Sequence, residues 1–544
     1  MHIPYRTVKK METPVLIVGG GPVGLALAAE LGWRNIPATL VEKGTEQVGP
    51  PKMFQVGVRT MEFCRHLGVA EDVFNWGFPA DFPMDTVFVS GALQDWEIAR
   101  VRMPSMGGSR STVDSPERQR HCPQTWFDPI LRKKAASYRH IRLQYDTEFE
   151  DLYQDDDGIT AVVRGKNGGM QLIRCQYLIG ADGYHSRVRD ICGIQMRGID
   201  PLDRSVNIQI DAPNLGRYHE VGNACRYTMV GSEGVWATFV TVDGHDRWRL
   251  TLYGANDIDV QSVEPDSAVR RVIGADAPYK IVSNNQWTRK KMVADSFSND
   301  RIFLAGDACH AHPPNGGLGM NTGIVDSFNL GWKLEAVLKG WGGKTLLESY
   351  DRERRPVCYE ATDASYHDYE LLTRNAARPS ITENSAAGAA ARSALGRQLR
   401  TANANAWDLK GIQLGYTYKT SPVIQTEDRG GAGQSVADYI PSDDAGARAP
   451  HFWMDGAKQE RSILDEFGRG FTLVDFSRSD AAEALEQAAG ELRIPLKTIE
   501  VERSEGTSPY RHDFCLVRPD GQIAWSGDSI PLDSNRLLTK VSGA

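Results

Sequence analysis

An α/β fold of two or three domains, built on a dinucleotide-binding βαβ unit, is what this sequence predicts, and three observations predict it. The chain opens with an apolar strand, a glycine-rich turn, a helix and a second strand within residues 14–42. From about 195 to 300, segments such as SVNIQID, GVWATFVTV and WRLTLYG alternate at period two, as a sheet with one buried face requires. Beyond a Gly-Ala and acidic stretch near 425–449, strand-like and helical segments resume in an order that needs a separate small core.

Each element follows in order. PVLIV leads into GGGPVG, then LALAAELGWRN and ATLVE, so that Gly19-x-Gly21-x-x-Gly24 lies between strand and helix and Glu42 closes the second strand. The glycines permit a tight turn and close approach of a pyrophosphate to the helix N-terminus, and Glu42 would accept from ribose hydroxyls. Segments over 140–180 (IRLQYDTEFEDLYQ, ITAVVRG, MQLIRCQYLIG) predict antiparallel strands returning to the first sheet, and the period-two region after them a substrate platform. Residues 320–375 carry helical patterning broken at GWGGK, residues 376–410 are rich in Ala and small polar residues, and EDRGGAGQSVADYIPSDDAGARAP reads as a linker.

The 544 residues, 41% hydrophobic with net charge -8, suit a globular chain and give no basic run for nucleic acid or an anionic membrane. No apolar stretch approaches the roughly 18 residues of a spanning helix, and no signal peptide is expected. The eight cysteines (Cys64, Cys122, Cys175, Cys192, Cys225, Cys309, Cys358, Cys515) show no CxxC and read as reduced, buried residues of a cytoplasmic protein. His310 and His312 form an HxH without a completing ligand set, so no metal is expected and the pair reads as structural.

A second motif lies far downstream, in RIFLAGDACHAHPPNGGLGMNTGIVDSFNLGWKL, residues 301–334. Its strand delivers Asp307 to a tip where a carboxylate can hold a sugar-alcohol hydroxyl, such as the ribityl chain of a flavin. This segment resembles the second FAD fingerprint of the class A flavoprotein aromatic hydroxylases, the family of para-hydroxybenzoate hydroxylase and phenol 2-monooxygenase. YLIGADGYHSRVRD at 177–190 resembles that family's DG motif through Asp182, Gly183, Ser186 and Arg189. The tail from about 450 resembles the thioredoxin-like domain of the phenol-hydroxylase branch, with Ser477-Arg478-Ser479-Asp480 where a redox-active relative would carry CxxC.

The resemblance implies a Rossmann-like FAD-binding domain (1–84, 115–195, 296–410), an inserted mixed β-sheet substrate domain (85–114, 196–295), a linker (411–449) and a thioredoxin-like domain without CxxC (450–544). It assigns Gly19, Gly21, Gly24 and Glu42 to the ADP half of FAD and Asp307 to the ribityl chain. Pro314, Gly319, Met320 and Asn321 would border the isoalloxazine, Gln124 would lie near FAD, and Asp182 with Arg189 would contact FAD and the pyridine nucleotide. Where the family has an arginine seven residues before that of RTME, this chain has Lys52, which keeps the charge but not the fork.

The implied reaction is hydroxylation of a phenolic or other electron-rich aromatic compound with NADPH or NADH and O2, through a C4a-hydroperoxyflavin, as in aromatic compound degradation. The implied assembly is a homodimer. The alternatives are a tailoring monooxygenase of a polycyclic substrate, by hydroxylation or Baeyer–Villiger insertion, and a non-catalytic flavin- or ligand-binding protein. No second GxGxxG for a nicotinamide domain is present, RGGAGQSV near 430 lacking the last glycine, and the WxWxIP of flavin halogenases is missing. The base cannot be carried over, since the position where one relative has histidine is Phe54. Tyr253 and His245 are candidate bases, and Trp236, Phe239 and Tyr227 candidate substrate contacts, although aromatics at period-two spacing equally serve sheet packing.

Overall fold

The computed structural model describes residues 9–254, 262–374, 378–403, 409–426, 436–504, 507 and 509–544. The opening strand Lys9–Val18 lies at the centre of the first sheet, parallel to Ala38–Val41 on one side and to Met170–Gly180 on the other. Val15, Leu16 and Ile17 are wholly buried, which is why the segment reads as a continuous apolar run rather than an alternating one. Ile302–Leu304 adds in parallel beside Met170–Gly180, so the tips that carry Gly19, Asp182 and Asp307 end side by side. The helices Pro22–Trp33 and Leu318–Leu338 pack together against this sheet, with Gly331 admitting Glu30 and Ser327 Oγ donating to the Val23 carbonyl at 2.8 Å.

The second sheet runs, in spatial order, His310–Ala311, Lys280–Ala294, Met196–Asp211, Arg247–Tyr253, Gly234–Thr241, Arg226–Gly231, Thr86–Ser90 and Glu97–Val101. Helix Pro265–Ile273 covers one face, its Val269, Val272 and Ile273 packed with Tyr227, Met229, Ala237, Phe239, Trp248 and Leu250. The helix Ala386–Asn403, expected within the cofactor domain, instead packs Leu395 and Leu399 against Phe88, Ile98 and Val230 at the edge of this second sheet.

The C-terminal unit is a four-stranded sheet ordered Leu496–Glu500, Phe471–Asp475, Phe514–Val517, Ile523–Gly527, with helices Glu483–Leu492 and Ser534–Ser542. After Phe471–Asp475, Asp475 accepts from the backbones of Ser477 and Arg478, and Ser479 caps the next turn, so the position of a CxxC is filled by capping chemistry. One of its two cores is shared with the cofactor domain, since Trp332, Ala336, Trp341 and Leu346 pack with Phe471, Leu473, Leu485 and Leu538.

A buried ionic cluster locks the two together. Arg518 donates to both oxygens of Glu353 at 2.7 and 2.9 Å and to Asp520 at 2.6 and 3.1 Å, while Lys333 Nζ reaches Glu353 at 2.7 Å. Asn329 and Ser421 complete the shell of Glu353 at 2.7 and 2.6 Å. The expected linker is corrected in part: residues 410–424 and 446–449 are largely packed, with Tyr416, Tyr418, Val423, Ile424 and Arg448 all buried, whereas 436–442 stay exposed or half-buried, Val436 and Ile440 among them. Arg448 pairs with Glu62 and Tyr418 bonds Arg354, so the aromatic and cationic residues of the stretch override its Gly-Ala composition. Residues 427–435, including most of RGGAGQSV, lie outside the described residues.

Candidate active site

Gly19 has φ +113°, and a Cβ there would stand 2.2 Å from the Ala181 carbonyl oxygen; one on Gly24 would stand 2.0 Å from that of Gly19. Those two glycines weld the turn to its own neighbours. Gly21 differs: it is the N-cap of Pro22–Trp33, no side chain caps it, and a Cβ would meet nothing within 4 Å. An open backbone at an uncapped helix N-terminus is what a pyrophosphate requires. Glu42 stands beside it, accepting from Gly20 N at 2.7 Å and Gly44 N at 2.6 Å, with lone pairs left for hydroxyl donors.

Asp182 accepts from Arg187 N and Val188 N through Oδ2 (2.8 and 3.2 Å), whereas its Oδ1 is buried and has no partner. Burial raises its carboxyl above the usual range, offset by those bonds. Asp307 has an exposed side chain among densely packed surroundings that also push its carboxyl up, the combination expected of a group at the floor of a cleft. Arg189 is buried and donates to the carbonyls of Tyr184 (2.8 Å) and Ala308 (3.1 Å), so it staples the Asp182 loop to the Asp307 loop. The staple uses Nη1 alone, and Nη2 lies 3.4 Å from Asp190.

The loop after Asp307 places exposed Pro314 and partly exposed Gly319 and Met320 around the N-terminus of Leu318–Leu338, which has Gly317 as N-cap and no capping side chain. The Asn321 side chain is fully used: Oδ1 accepts from Gly57 N and Thr60 Oγ1, both at 2.7 Å, and Nδ2 donates to Gln55 O and Gly317 O. With all four bonds made, its amide positions the 55–60 segment, leaving only its backbone for a ligand. Deeper in, His310 bonds Asp326 at 2.8 Å and His312 at 2.9 Å. Cys309, His310 and Asp326 lie close enough to share an ion, but Asp326 already accepts from Arg354, His310 and Gly306 N. Against the cost of burial, Cys358 and then Asp326 lift the His310 imidazole to about 10.

Lys52 has an exposed side chain, and its backbone N donates to Gln124 Oε1 at 3.2 Å. Gln124 Nε2 in turn donates to Asp128 at 3.0 Å, a residue sequence reasoning missed: it is buried, its Oδ1 lacks a partner, and burial raises its carboxyl to about 7. Phe54 stacks on His121 with centroids 5.6 Å apart, and burial lowers that imidazole to about 4.

The second sheet turns the face opposite helix Pro265–Ile273 toward Phe54, since Arg249 holds the Phe54 ring at 4.0 Å and donates to the Pro51 carbonyl at 3.2 Å. Pairing brings Thr228, Thr238, Thr251 and Asn207 into one row of that face and Arg226, Val240, Arg249 and Gln209 into the next. Tyr253 belongs here, hydroxyl to Thr238 at 3.1 Å and ring under Arg289 at 4.1 Å. Tyr227, Phe239 and Trp236 are corrected. Tyr227 and Phe239 are wholly buried beneath helix Pro265–Ile273, and Trp236 packs there under Arg271 at 4.0 Å. His245 is also removed as a base, because it stands exposed on the turn after Gly234–Thr241. Sequence reasoning missed Arg249, Arg289 and Trp287, for which a break in polarity on strands otherwise patterned for packing was the only signal.

The orphan Asp182 oxygen, the open Gly21, the exposed Asp307 and two uncapped helix N-termini fit a flavin dinucleotide laid across the three strand tips. A family profile described as FAD binding domain matches residues 12–365, and one described as aromatic-ring hydroxylase, C-terminal, matches residues 442–543. The chain is 31% identical to 4-methyl-5-nitrocatechol 5-monooxygenase of a Burkholderia species, covering 99% of this chain and 98% of that one. It is also 31% identical to tetracenomycin B2 monooxygenase-dioxygenase of Streptomyces olivaceus, covering 98% of each. The solved structure of RebC soaked with chromopyrrolic acid, with bound 7-carboxy-K252c, superimposes with a TM-score of 0.91 at 32% identity over 98% of this chain and 100% of that one.

Proposed function

This chain belongs to the FAD-dependent aromatic-ring hydroxylases, and from that premise we propose that it places one atom of O2 on a phenolic or similarly electron-rich ring, with NADH or NADPH as electron donor. It is a flavoprotein monooxygenase with FAD as cofactor. When bound and reduced, FAD supplies the activation of O2. In this reading Gly19, Gly21, Gly24 and Glu42 hold the ADP half, Asp307 the ribityl chain and Asp182 a further hydroxyl. Backbone N–H groups at Gly319 and Met320 border the ring system, and Lys52 and Gln124 lie along it.

The observation that carries the substrate site is the face of the second sheet opposite helix Pro265–Ile273, drawn up to Phe54 by Arg249. The Phe54–His121 stack and this face exclude water from the ring between them. Tyr253 is the remaining candidate to hold or relay the phenolic proton, since its hydroxyl lies on that face with Thr238. Similarity at 31% identity to tetracenomycin B2 monooxygenase-dioxygenase supports a second reading, tailoring oxygenation of a polycyclic substrate. No helix among the described residues is long and apolar enough to cross a membrane. A cytoplasmic homodimer is the proposed form, to be sized by light scattering.

The test is anaerobic stopped-flow reduction of the flavin by NADH and NADPH, with and without phenols, hydroxybenzoates and polycyclic phenols, followed by product analysis under labelled O2. A ligand that speeds reduction by orders of magnitude and leaves with one labelled oxygen supports the reading. Colourless protein that cannot be reconstituted with FAD overturns it.

A further inference from the structure

Helix Val58–His66 joins two parts of the molecule. Its N-cap is Gly57, and the segment just before it, residues 52–57, carries the Lys52 and Phe54 of the candidate cofactor site. The rest of the helix is gripped by the C-terminal unit. Arg59, Glu62 and Arg65 stand three residues apart, on successive turns of one stripe, and all three bond to that unit. Arg59 donates to the Asp520 carbonyl at 2.6 Å, Glu62 accepts from Nε (3.1 Å) and Nη2 of Arg448, and Arg65 donates to both oxygens of Asp465 at 2.7 and 2.8 Å. Arg448 forms a β-bridge with Gln522, and Ala449 N donates to Gly521 O at 2.9 Å. Two of the three grips thus come from one place, the turn between Phe514–Val517 and Ile523–Gly527.

Arg59, Glu62 and Arg448 are all buried, and Arg59 Nη1 also donates to Glu62 at 2.6 Å. Against the cost of burial, Arg448 and then Arg59 hold the Glu62 carboxyl down at about 2. As an adhesive such a triad is a poor choice, because well-packed apolar side chains of similar volume join two surfaces at least as well. An apolar core between the units is present anyway, in Trp332, Trp341 and Leu473. What directed, charged bonds add is a fixed orientation. At its other end the helix is held by two side-chain amides, Asn321 Oδ1 on Gly57 N and Gln413 Oε1 on Val58 N, both at 2.7 Å. We propose that Arg448 is a positioning residue of the oxygenase: through Glu62 it sets the angle of helix Val58–His66, and so the placement of Phe54 and the 52–57 backbone beside the flavin. The inference rests on the proposed cofactor site for what lies against that segment. It gives the C-terminal unit, which has capping chemistry where a CxxC would stand, a part in the site.

The experiment is hydrogen exchange of the FAD-loaded enzyme read by mass spectrometry, with the flavin absorption spectrum and reduction potential measured on the same samples. Arg448→Met is expected to quicken exchange over residues 53–58 at least about tenfold, while residues 14–31 exchange as in the parent. The flavin band and potential should shift with it. Arg448→Lys, which keeps the charge without the fork, is expected to show a smaller change in the same segment, and it carries the test if the methionine variant does not fold. Leu485→Ala loosens the C-terminal core without touching helix Val58–His66, and should leave both the segment and the flavin as they are. Unchanged exchange over 53–58 in the Arg448 variants overturns the proposal, whatever the flavin does. So does equal quickening in Leu485→Ala, which reduces the effect to general loosening. If exchange quickens but band and potential keep their parent values, the grip stands and the placement of the flavin beside 52–57 fails.

Discussion

Replacing Glu353 by glutamine removes the one carboxylate on which Arg518 and Lys333 both lean, leaving two buried cations to share Asp520. Breaking a buried pair in this way costs about 3–5 kcal/mol, because the partner charge stays desolvated. Unfolding entropy of roughly 2.1 cal/mol/K per residue converts that loss into two different midpoint shifts. If the whole chain melts as one unit the drop is roughly 3–4 °C, whereas release of the roughly hundred-residue C-terminal unit alone gives about 14–24 °C for that transition. Thermal scans followed by tryptophan emission and by release of flavin fluorescence separate the cases; Trp332 is a suitable reporter, its ring 5.0 Å from the Arg518 guanidinium. The size also depends on pH. Burial, with Arg518 beside it, lowers the Lys333 amine to about 8 despite Glu353. Its folded value is therefore below its unfolded one, and the lysine becomes cheaper to bury as pH rises from 8 toward 10.5. The loss should be smaller at pH 9 than at pH 7. A Glu353→Gln enzyme with both signals within 1 °C of the parent, or with an equal loss at the two pH values, refutes the account of the cluster as a lock.

The glycines of the first turn should separate cleanly: Gly21→Ala leaves apoprotein stability within about 1 kcal/mol but weakens FAD binding, while Gly19→Ala and Gly24→Ala lower apoprotein stability by more than that, since their Cβ atoms strike backbone. Urea titration of apoprotein and fluorimetric FAD titration read the two effects. Asp307→Ala is expected to purify with substoichiometric flavin and an FAD Kd raised at least about tenfold, the loss of a charged hydrogen bond. Burial holds His121 and His451 at about 4, below their unfolded values, so the unfolded chain binds more protons as pH falls from about 6.5 to 4 and stability drops across that window. His121→Phe should flatten the dependence of stability on pH by close to one proton, and an unchanged slope removes His121 from this role.

The three glycine- and aspartate-bearing turns were legible because each has a local cause: a strand end, a helix start and a residue type that the turn demands. The polarity of the second sheet was not. Gly234–Thr241 is buried on both faces, so its alternation is erased, and which side meets the cofactor domain is decided by helix Pro265–Ile273, whose docking leaves no mark on the strand. Trp236, Phe239 and Tyr227 therefore read as pocket candidates, while nothing singles out Arg249 and Arg289. Asn321 and Arg189 were legible in position, but their bonds to Gly57, Thr60 and Ala308 were not, because sequence places a side chain near a site without saying which neighbours it bonds. The packed 410–426 stretch hid behind its neighbour's composition; Tyr416 and Tyr418 were its only advertisement.

The helix Leu318–Leu338 has its first turn at the candidate flavin site and its later turns, at Trp332 and Ala336, inside the core of the C-terminal unit. For recombination between relatives, the seam of this molecule is thus not a point in the chain near residue 442 but a surface that cuts across one helix. A chimera joined in the loop would set a foreign tail on Trp332, Trp341 and Lys333 and should need those positions exchanged with it. A fragment ending before that tail would bare Trp332 and Lys333 on the helix whose first turn lies at the candidate flavin site, and Trp341 just beyond its end. Module exchange in this family is better planned by faces of Leu318–Leu338 than by boundaries in the sequence.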